Sequence, residues 1–582
     1  MYKIFAFLTV FYQFLFPQMS EMPPTQIAED ASSVQQEEWK ALKSEVSVSF
    51  ANSNIRYPQN NVPKISFQKQ WSVMAWKGEK VHTQLLVWTK KDINQVSFKL
   101  TDLVNSRGNR IAKENIRASF VRYVMTDQYM PGCPKHRINQ YDSALAEDII
   151  DVIDSLPMKS NTVQPVWLSI KVPSDISAGN YAGSIIINAE KKYKLDILVR
   201  VLRHTLPPPE KWSFDLDLWQ HPASVARVHQ LPLWSAEHFE KMRPYFEMLA
   251  KAGQKNITTS IINEPWNHQT FDDFPSLIKW VKKKNGAWFY DYSLFDKYVS
   301  FVMDCGIKER INCYTMIPWE LSFKYYDEET EKDTVVRFET KSAEYKMFWS
   351  NMLKDFTKHL KEKKWFSMTS ISVDERPLED MKIAIGILKE IDADWKIALA
   401  GDYHPIIEEE IFDYSIASKS TFSDKILTER KKLGKPSTFY TCCAEEFPNG
   451  YTFSSPADHV WIGWYAAAHG FTGYLRWAFN SWTKNPLADS RYTAWPAGDT
   501  FQIYPGPRSS IRFEKLIEGI QDFEKIRILK SIYVKGNHQK ELDQLMKLLD
   551  TFQIESLKHT PSLNTVIKAK QSIDKLYNAP LI

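Results

Sequence analysis

The sequence predicts an α/β protein whose main domain is a (β/α)8 TIM-type barrel, preceded by an all-β sandwich and followed by a C-terminal helical extension. Three observations predict it. The chain has 582 residues, more than one hydrophobic core can serve, so two or three domains are expected. Its texture changes sharply at Leu206-Pro207-Pro208-Pro209, a stiff connector. Beyond that connector, eight short apolar runs alternate with mostly amphipathic segments, the count that closes a barrel of βα units.

In chain order, Met1-Tyr2-Lys3 and the apolar run from Ile4 to Phe16 have the character of a secretory signal, placed at residues 1–20. Export, to the periplasm or outside the cell, is the expectation. That run is short for a membrane span and no later one is longer, so no transmembrane segment is expected in the mature chain. A polar stretch follows to about Lys40. Residues 41–206 then show period-two alternation broken by turns, with strands at 83–88, 96–100, 116–121, 166–172 and 183–188, the spacing of a sandwich. The barrel is placed at 210–533. Its strands are read at 214–219, 256–262, 312–317, 367–373, 396–400, 413–417, 437–441 and 473–478. Helices are read between most of them, and a last one, 510–529, follows the eighth strand. Residues 534–582 read as helices packed on the outside.

A formal net charge of +4, from 74 basic and 70 acidic residues, gives no electrostatic case for nucleic acid as a partner. Lys282-Lys283-Lys284 reads as a solvated helix end. The five cysteines, Cys133, Cys305, Cys313, Cys442 and Cys443, fit no zinc spacing and are too few for a disulfide scaffold, so buried free thiols are expected. A long-range bridge involving Cys305 or Cys313 is the alternative. Cys442 and Cys443 are adjacent and would strain to join each other.

Residues just after each barrel strand share one face, where such barrels keep their chemistry. Here that face is rich in carboxylates, amides and tryptophan: Gln220 and His221; Asn263, Glu264 and Trp266; Trp319 and Glu320; Asp374 and Glu375; Asp402, Tyr403 and His404; Tyr440; Trp477, Asn480 and Trp482. Aromatic rings stack on apolar sugar faces while fixed polar groups pair with hydroxyls. For any single one of these tryptophans, Trp266, Trp319, Trp477 or Trp482, rim packing is the more common fate. The two histidines lack a spaced third ligand, so no metal is expected. Asp374-Glu375, where the β-branched run Ser370-Ile371-Ser372-Val373 meets Pro377, is the leading candidate for proton chemistry. Glu264, beside Pro265, is its rival.

The segments Gly463-Trp464-Tyr465-Ala466-Ala467-Ala468-His469-Gly470, Gly473-Tyr474-Leu475-Arg476-Trp477-Ala478-Phe479-Asn480, Ala497-Gly498-Asp499-Thr500, Tyr504-Pro505-Gly506, Ser510-Ile511-Arg512 and Glu518-Gly519-Ile520-Gln521-Asp522 resemble glycoside hydrolase family 123. Pro165-Val166-Trp167-Leu168-Ser169 and Ala178-Gly179-Asn180-Tyr181-Ala182-Gly183 are similar to that family's N-terminal sandwich. The resemblance implies an exo-acting β-N-acetylgalactosaminidase that uses the substrate's acetamido group as nucleophile, with no cofactor. It implies a glycan substrate such as a glycolipid or glycoprotein oligosaccharide. It places the acid/base on Glu375 and the group orienting the acetamido on Asp374. Tyr403, Tyr440 and Tyr504 are candidates to hold the acetamido carbonyl, Trp477 to floor the sugar ring, and Trp266 and Asn480 to contact substrate. Asp499 and Arg512 read evenly as functional or as braces.

Overall fold

A computed structural model describes residues 33–133 and 143–577. The signal expected at residues 1–20 lies outside the described residues. The N-terminal domain is a sandwich of two sheets. One carries Val46–Ala51, Lys80–Thr89, Thr162–Lys171, Ile116–Thr126 and Ala144–Ile150; the other is built on Gln70–Lys77, Lys191–Thr205, Gly179–Ala189, Ile93–Leu100 and Ser155–Met158. Alternate residues such as Leu85, Val87, Val166, Leu168, Ile185 and Ile187 meet in the core between them.

The second domain is an eight-stranded, all-parallel, nearly closed barrel: β1 (Asp215–Leu218), β2 (Asn256–Ser260), β3 (Arg310–Tyr314), β4 (Thr369–Val373), β5 (Lys396–Gly401), β6 (Asp413–Ala417), β7 (Ser437–Tyr440) and β8 (Gly473–Arg476). Each strand pairs in register with the next from β2 to β8, and β8 pairs with β1. Only the β1–β2 seam lacks a regular ladder, and two glutamines bridge it. Leu218 N–H donates to Gln254 Oε1 and Thr258 N–H to Gln220 Oε1, both at 2.9 Å, so buried amides that a ladder would pair find side-chain acceptors instead. At the β1–β8 seam, a Cβ on Gly473 would fall 2.0 Å from Asp215 O, so glycine is required there.

Alternation along the strands sorts the side chains. Leu216, Ile257, Ile311, Ile371, Ile397 and Phe439 face outward into the helical layer, where helices such as Ala236–Ala250, Ala343–Glu362 and Leu378–Ile391 cover them. Inward, the floor is polar. Gln254 Nε2 and Asn312 Nδ2 donate to the two oxygens of Asp217, at 3.2 and 3.3 Å. Burial, and then the neighbouring Asp413, push the Asp217 carboxyl up to about 7. The folded chain thus keeps a proton that the unfolded chain releases near pH 4, and stability falls as pH rises through the window from about 4 to 7. Asp217→Asn is expected to raise the melting temperature at pH 8 by about 2 °C and to leave it near wild type at pH 4.5. The unpartnered Asn312 Oδ1 lets that amide turn over to receive the new donor. A lower melting temperature at pH 8 would contradict this.

Between β2 and the helix after β3 the chain adds a four-stranded sheet, Trp288–Asp291, Lys279–Lys282, Ser322–Asp327 and Lys332–Arg337. Lys282-Lys283-Lys284 therefore ends a strand and enters a hairpin turn, which corrects the helix-end reading. The cysteine expectation also needs correction. Cys133 and Cys443, 310 residues apart, form a disulfide, while Cys305, Cys313 and Cys442 are free. Nothing local in the sequence marks that pair.

The sandwich is tied to the barrel along the helix Ile511–Lys535. Ser509–Ser510, just before it, adds a short antiparallel strand to Ala144–Ile150. Buried polar pairs complete the contact: Arg512 Nε to Asp148 at 2.9 Å, Lys525 to Glu79 at 2.7 Å, and His82 Nε2 to Glu518 at 2.7 Å. Gly463 and Gly519 let this helix and Pro456–His469 touch backbone to backbone, since a Cβ on Gly463 would sit 2.0 Å from Gly519 O. Two further helices, Gln539–Leu549 and Ser562–Tyr577, pack outside. No helix among the described residues is long and apolar enough to cross a membrane.

Candidate active site

A cavity of about 810 Å³ opens at the C-terminal end of the barrel. The alternation that turns Ser370 and Ser372 inward turns Asp374 inward as well. Glu375 would point away on a continuing strand, but pairing ends at Val373 and the chain bends, so both carboxyls reach the same cavity. Asp374 is held from two sides: the Trp319 indole N–H donates to Oδ2 at 3.0 Å and the Glu375 amide to Oδ1 at 2.8 Å. Burial raises the Asp374 carboxyl, opposed by those donors and by Arg376. Arg376 in turn lies over the Trp319 ring, 4.7 Å from its centre.

Glu375 sits closer to the mouth, exposed over its surface as a whole, with its carboxyl against Asp374 and Tyr440. The Tyr440 hydroxyl donates to Glu375 Oε1. Desolvation and then the like charge of Asp374 push the Glu375 carboxyl above its ordinary range, with the Tyr440 bond acting the other way. Burial thus raises both carboxyls, and they differ in their partners: Asp374 is held by two N–H donors and Glu375 by one hydroxyl.

Aromatic rings form the wall. Trp219 stacks on Trp266 with ring centres 5.1 Å apart, and Tyr314 packs against both at 4.6 and 5.0 Å. The indole N–H of Trp219 makes no hydrogen bond within the protein, while that of Trp266 reaches toward Asp374 and helps hold its carboxyl down. Trp477 and Trp495 meet edge to face at 5.7 Å on another side of the cavity. The sandwich contributes too. Tyr129 Oη donates to Ala444 O at 2.9 Å, Ala497 N–H to Asp127 at 3.0 Å, and the disulfide brings Cys133 into the cavity wall beside Cys443.

Asp374, Glu375, Tyr440, Trp266 and Trp477 are thus brought together. Three other candidates lie elsewhere. Tyr403 packs on Phe422 and Tyr414 behind the loop after β5. Asn480 is fully buried and exchanges a reciprocal pair of 2.9 Å bonds with the His221 backbone. Tyr504 is fully buried and donates to Asp148 at 2.6 Å, in the contact with the sandwich that Arg512 also braces.

The rival acid, Glu264, spends both oxygens on its own loop, accepting from Phe274 N–H at 2.9 Å and His268 N–H at 3.2 Å, and does not line the cavity. Among the described residues its group with His268 and Asp273 is the one cluster spaced like metal ligands, and those bonds account for its geometry. Both ring nitrogens of His221 are engaged, by Ser481 Oγ at 2.9 Å and Asp273 O at 3.1 Å. Residues that sequence reasoning left out are Trp219, Gln269, Trp495 and Cys133. Trp219 closes a strand already read, so its position was available as a signal. Gln269, Trp495 and Cys133 are brought in by long loops that leave no periodic trace.

A parallel barrel with an acid pair at a strand end, set in a tryptophan-walled cavity, defines a class: hydrolases that act on sugars. The sequence matches the glycoside hydrolase 123 catalytic domain over residues 219–529 and the glycoside hydrolase 123 N-terminal domain over residues 50–189. The chain belongs to glycoside hydrolase family 123. Its fold is similar to that of a family 123 glycoside hydrolase from Clostridium perfringens, solved for the details of glycolipid glycan hydrolysis. The TM-score is 0.84 at 27% identity, covering 92% of this chain and 99% of that one. A family 39 glycoside hydrolase from Bacteroides cellulosilyticus WH2 overlaps far less well, with TM-score 0.34 and 12% identity over 73% of this chain and 80% of that one. Comparison with curated proteins gives no significant match.

Proposed function

We propose that this glycoside hydrolase is a retaining exo-β-N-acetylgalactosaminidase that works by substrate assistance. The observation that carries this reading is the shared strand end of Asp374 and Glu375. A double displacement through the enzyme needs a second free carboxylate about 5 Å across the sugar from the acid. Of the other cavity carboxylates, Glu445 is bound through both oxygens by Ser418 Oγ and Cys442 N–H, each at 2.9 Å, Asp499 is buried with Oδ1 on Arg476 at 2.6 Å, and Asp402 is exposed beside Lys419 at 3.7 Å. Two carboxyls on adjacent residues of one strand end fit the other route, in which the substrate supplies the nucleophile.

In the first step Glu375 gives its proton to the glycosidic oxygen as the acetamido carbonyl oxygen bonds to C1 and the C1–O bond breaks. Asp374 accepts from the acetamido N–H and stabilises the positive oxazolinium-like ring. In the second step water attacks C1, Glu375 takes its proton, and the ring reopens with the β configuration retained. Trp319 and the Glu375 amide hold Asp374 still through both steps, so little reorganisation is needed as charge develops.

The galacto preference draws support from the resemblance to family 123, and a glycolipid oligosaccharide substrate also from the glycolipid glycan hydrolysis of the Clostridium perfringens relative. Export draws support from the N-terminal sequence and from the Cys133–Cys443 disulfide, which suits an oxidising compartment. A panel of 4-nitrophenyl β-glycosides tests the reading. Turnover of the N-acetylgalactosaminide well above the N-acetylglucosaminide is expected. Equal turnover would widen the specificity to hexosaminides, and binding without turnover would make the barrel a lectin.

The Tyr440 bond supplies a further test. Its hydroxyl favours the charged form of Glu375, so Tyr440→Phe should raise the carboxyl's pKa. The alkaline limb of the kcat/KM profile, where the acid loses its proton, is expected to move to higher pH. An unmoved or lowered limb would remove Glu375 from the acid role.

A further inference from the structure

Asp499 stands in the long loop after β8 and forms part of the cavity wall, yet the acid–base mechanism does not use it. Its side chain is 1% exposed. One oxygen, Oδ1, receives Arg476 Nη2 at 2.6 Å and the Trp477 indole N–H at 3.4 Å. The other, Oδ2, accepts no hydrogen bond from the protein. Burial raises the Asp499 carboxyl above its ordinary range, opposed first by the buried, permanently charged Arg476 and then by the Trp477 N–H.

The placement is rigid. Asp499 N–H donates to Pro496 O at 3.0 Å, Arg512 holds Gly498 O at 2.8 Å, and Asp127 of the sandwich takes Ala497 N–H at 3.0 Å. Gly498 has φ +79°, and a Cβ there would meet Thr452 Cγ2 at 2.8 Å, so the turn that aims Asp499 requires glycine. The Trp477 ring, which Asp499 touches through the indole N–H, lines the same cavity, meets Trp495 edge to face and packs against the aromatic cluster that holds Trp219 and Tyr440. A pyranose with its apolar face on Trp477 would carry its edge hydroxyls past the rim where Asp499 sits.

We propose that Asp499 Oδ2 accepts a hydrogen bond from one hydroxyl on the non-reducing edge of the terminal sugar, O3, O4 or O6, and is a specificity-determining residue of this site. The proposal rests on the glycosidase reading above. A buried acceptor fixed by Arg476 and by the turn at Gly498 discriminates strongly against a sugar that lacks its hydroxyl, because the oxygen is then buried without a donor.

The test is a cycle between enzyme variants and substrates. Wild type, Asp499→Asn and Asp499→Glu are assayed on the aryl N-acetylgalactosaminide and on its 3-, 4- and 6-deoxy analogues. Wild type should lose about 10²-fold in kcat/KM on one analogue. Asp499→Asn should lose a similar factor on the parent and less than about threefold more on that analogue. Asp499→Glu keeps a charge for Arg476 while displacing the acceptor; it should show the same loss of discrimination, and it serves if the amide variant does not fold. Wild-type losses under about threefold on every analogue would overturn the proposal, as would variants that slow all four substrates by one common factor. Failure of the parent substrate itself would instead indict the glycosidase reading.

Discussion

Glu375→Gln is expected to lower kcat/KM on an oligosaccharide by about 10³-fold, and on a 2,4-dinitrophenyl glycoside by no more than about tenfold. A sugar alkoxide leaves only if protonated, whereas dinitrophenolate leaves without help, so the difference between the two losses measures proton donation. The surroundings of Glu375 suit the proposed acid. Desolvation and the adjacent Asp374 keep the Glu375 carboxyl neutral above its ordinary range, and the cavity mouth leaves it accessible to a glycosidic oxygen. Glu264→Gln should cost less than about threefold on either substrate, because its oxygens are spent on the backbone of its own loop. A larger loss for Glu264→Gln on the oligosaccharide would move the acid to the loop after β2.

Asp374→Asn should differ in kind. Its expected loss, about 10²- to 10³-fold, should persist with the dinitrophenyl leaving group, because the carboxylate stabilises charge on the intermediate and not on the departing oxygen. The variant keeps an acceptor for the Trp319 N–H or the Glu375 amide but cannot serve both, so the chosen rotamer also loses aim. Kinetics of both variants on both leaving groups separate the roles. A leaving-group-dependent loss for Asp374→Asn would make it the acid and Glu375 the orienting group.

Much of the fold was legible because the barrel strands carry a strong local signal. The outward residues of β4, Ile371 and Val373, and of β5, Ile397 and Leu399, are large and apolar, and the inward ones are small or polar, which is the pattern expected of strands that line a polar barrel. The added four-stranded sheet was not legible, since Lys279–Lys282 and Lys332–Arg337 are short, partly exposed and bounded by charged residues. Lys191–Thr205 and Ala144–Ile150 escaped for the same reason: their polar faces break the apolar run.

The site was legible where a side chain follows strand geometry and illegible where a distant partner claims it. Asp374, Tyr440 and Trp477 continue the inward parity of β4, β7 and β8. Tyr504 is polar and aromatic in a family-like motif, yet Asp148, 356 residues away, takes its hydroxyl. Asn480 goes to the backbone of the β1 loop. The Cys133–Cys443 bridge and the arm of the sandwich beside it depend on how two domains dock, which no window of local sequence encodes.

The central claim is that the nucleophile belongs to the substrate and the Asp374-Glu375 pair serves it. The most direct measurement is kcat/KM on aryl β-N-acetylgalactosaminides whose acetyl group carries zero, one, two or three fluorines. Each fluorine weakens the carbonyl oxygen as a nucleophile while leaving C1 and the leaving group unchanged. If that oxygen attacks C1, the rate should fall steeply at every step, with the trifluoro substrate nearly inert. A rate indifferent to fluorine, with a glycosyl ester found on a carboxylate of the protein, would contradict the account.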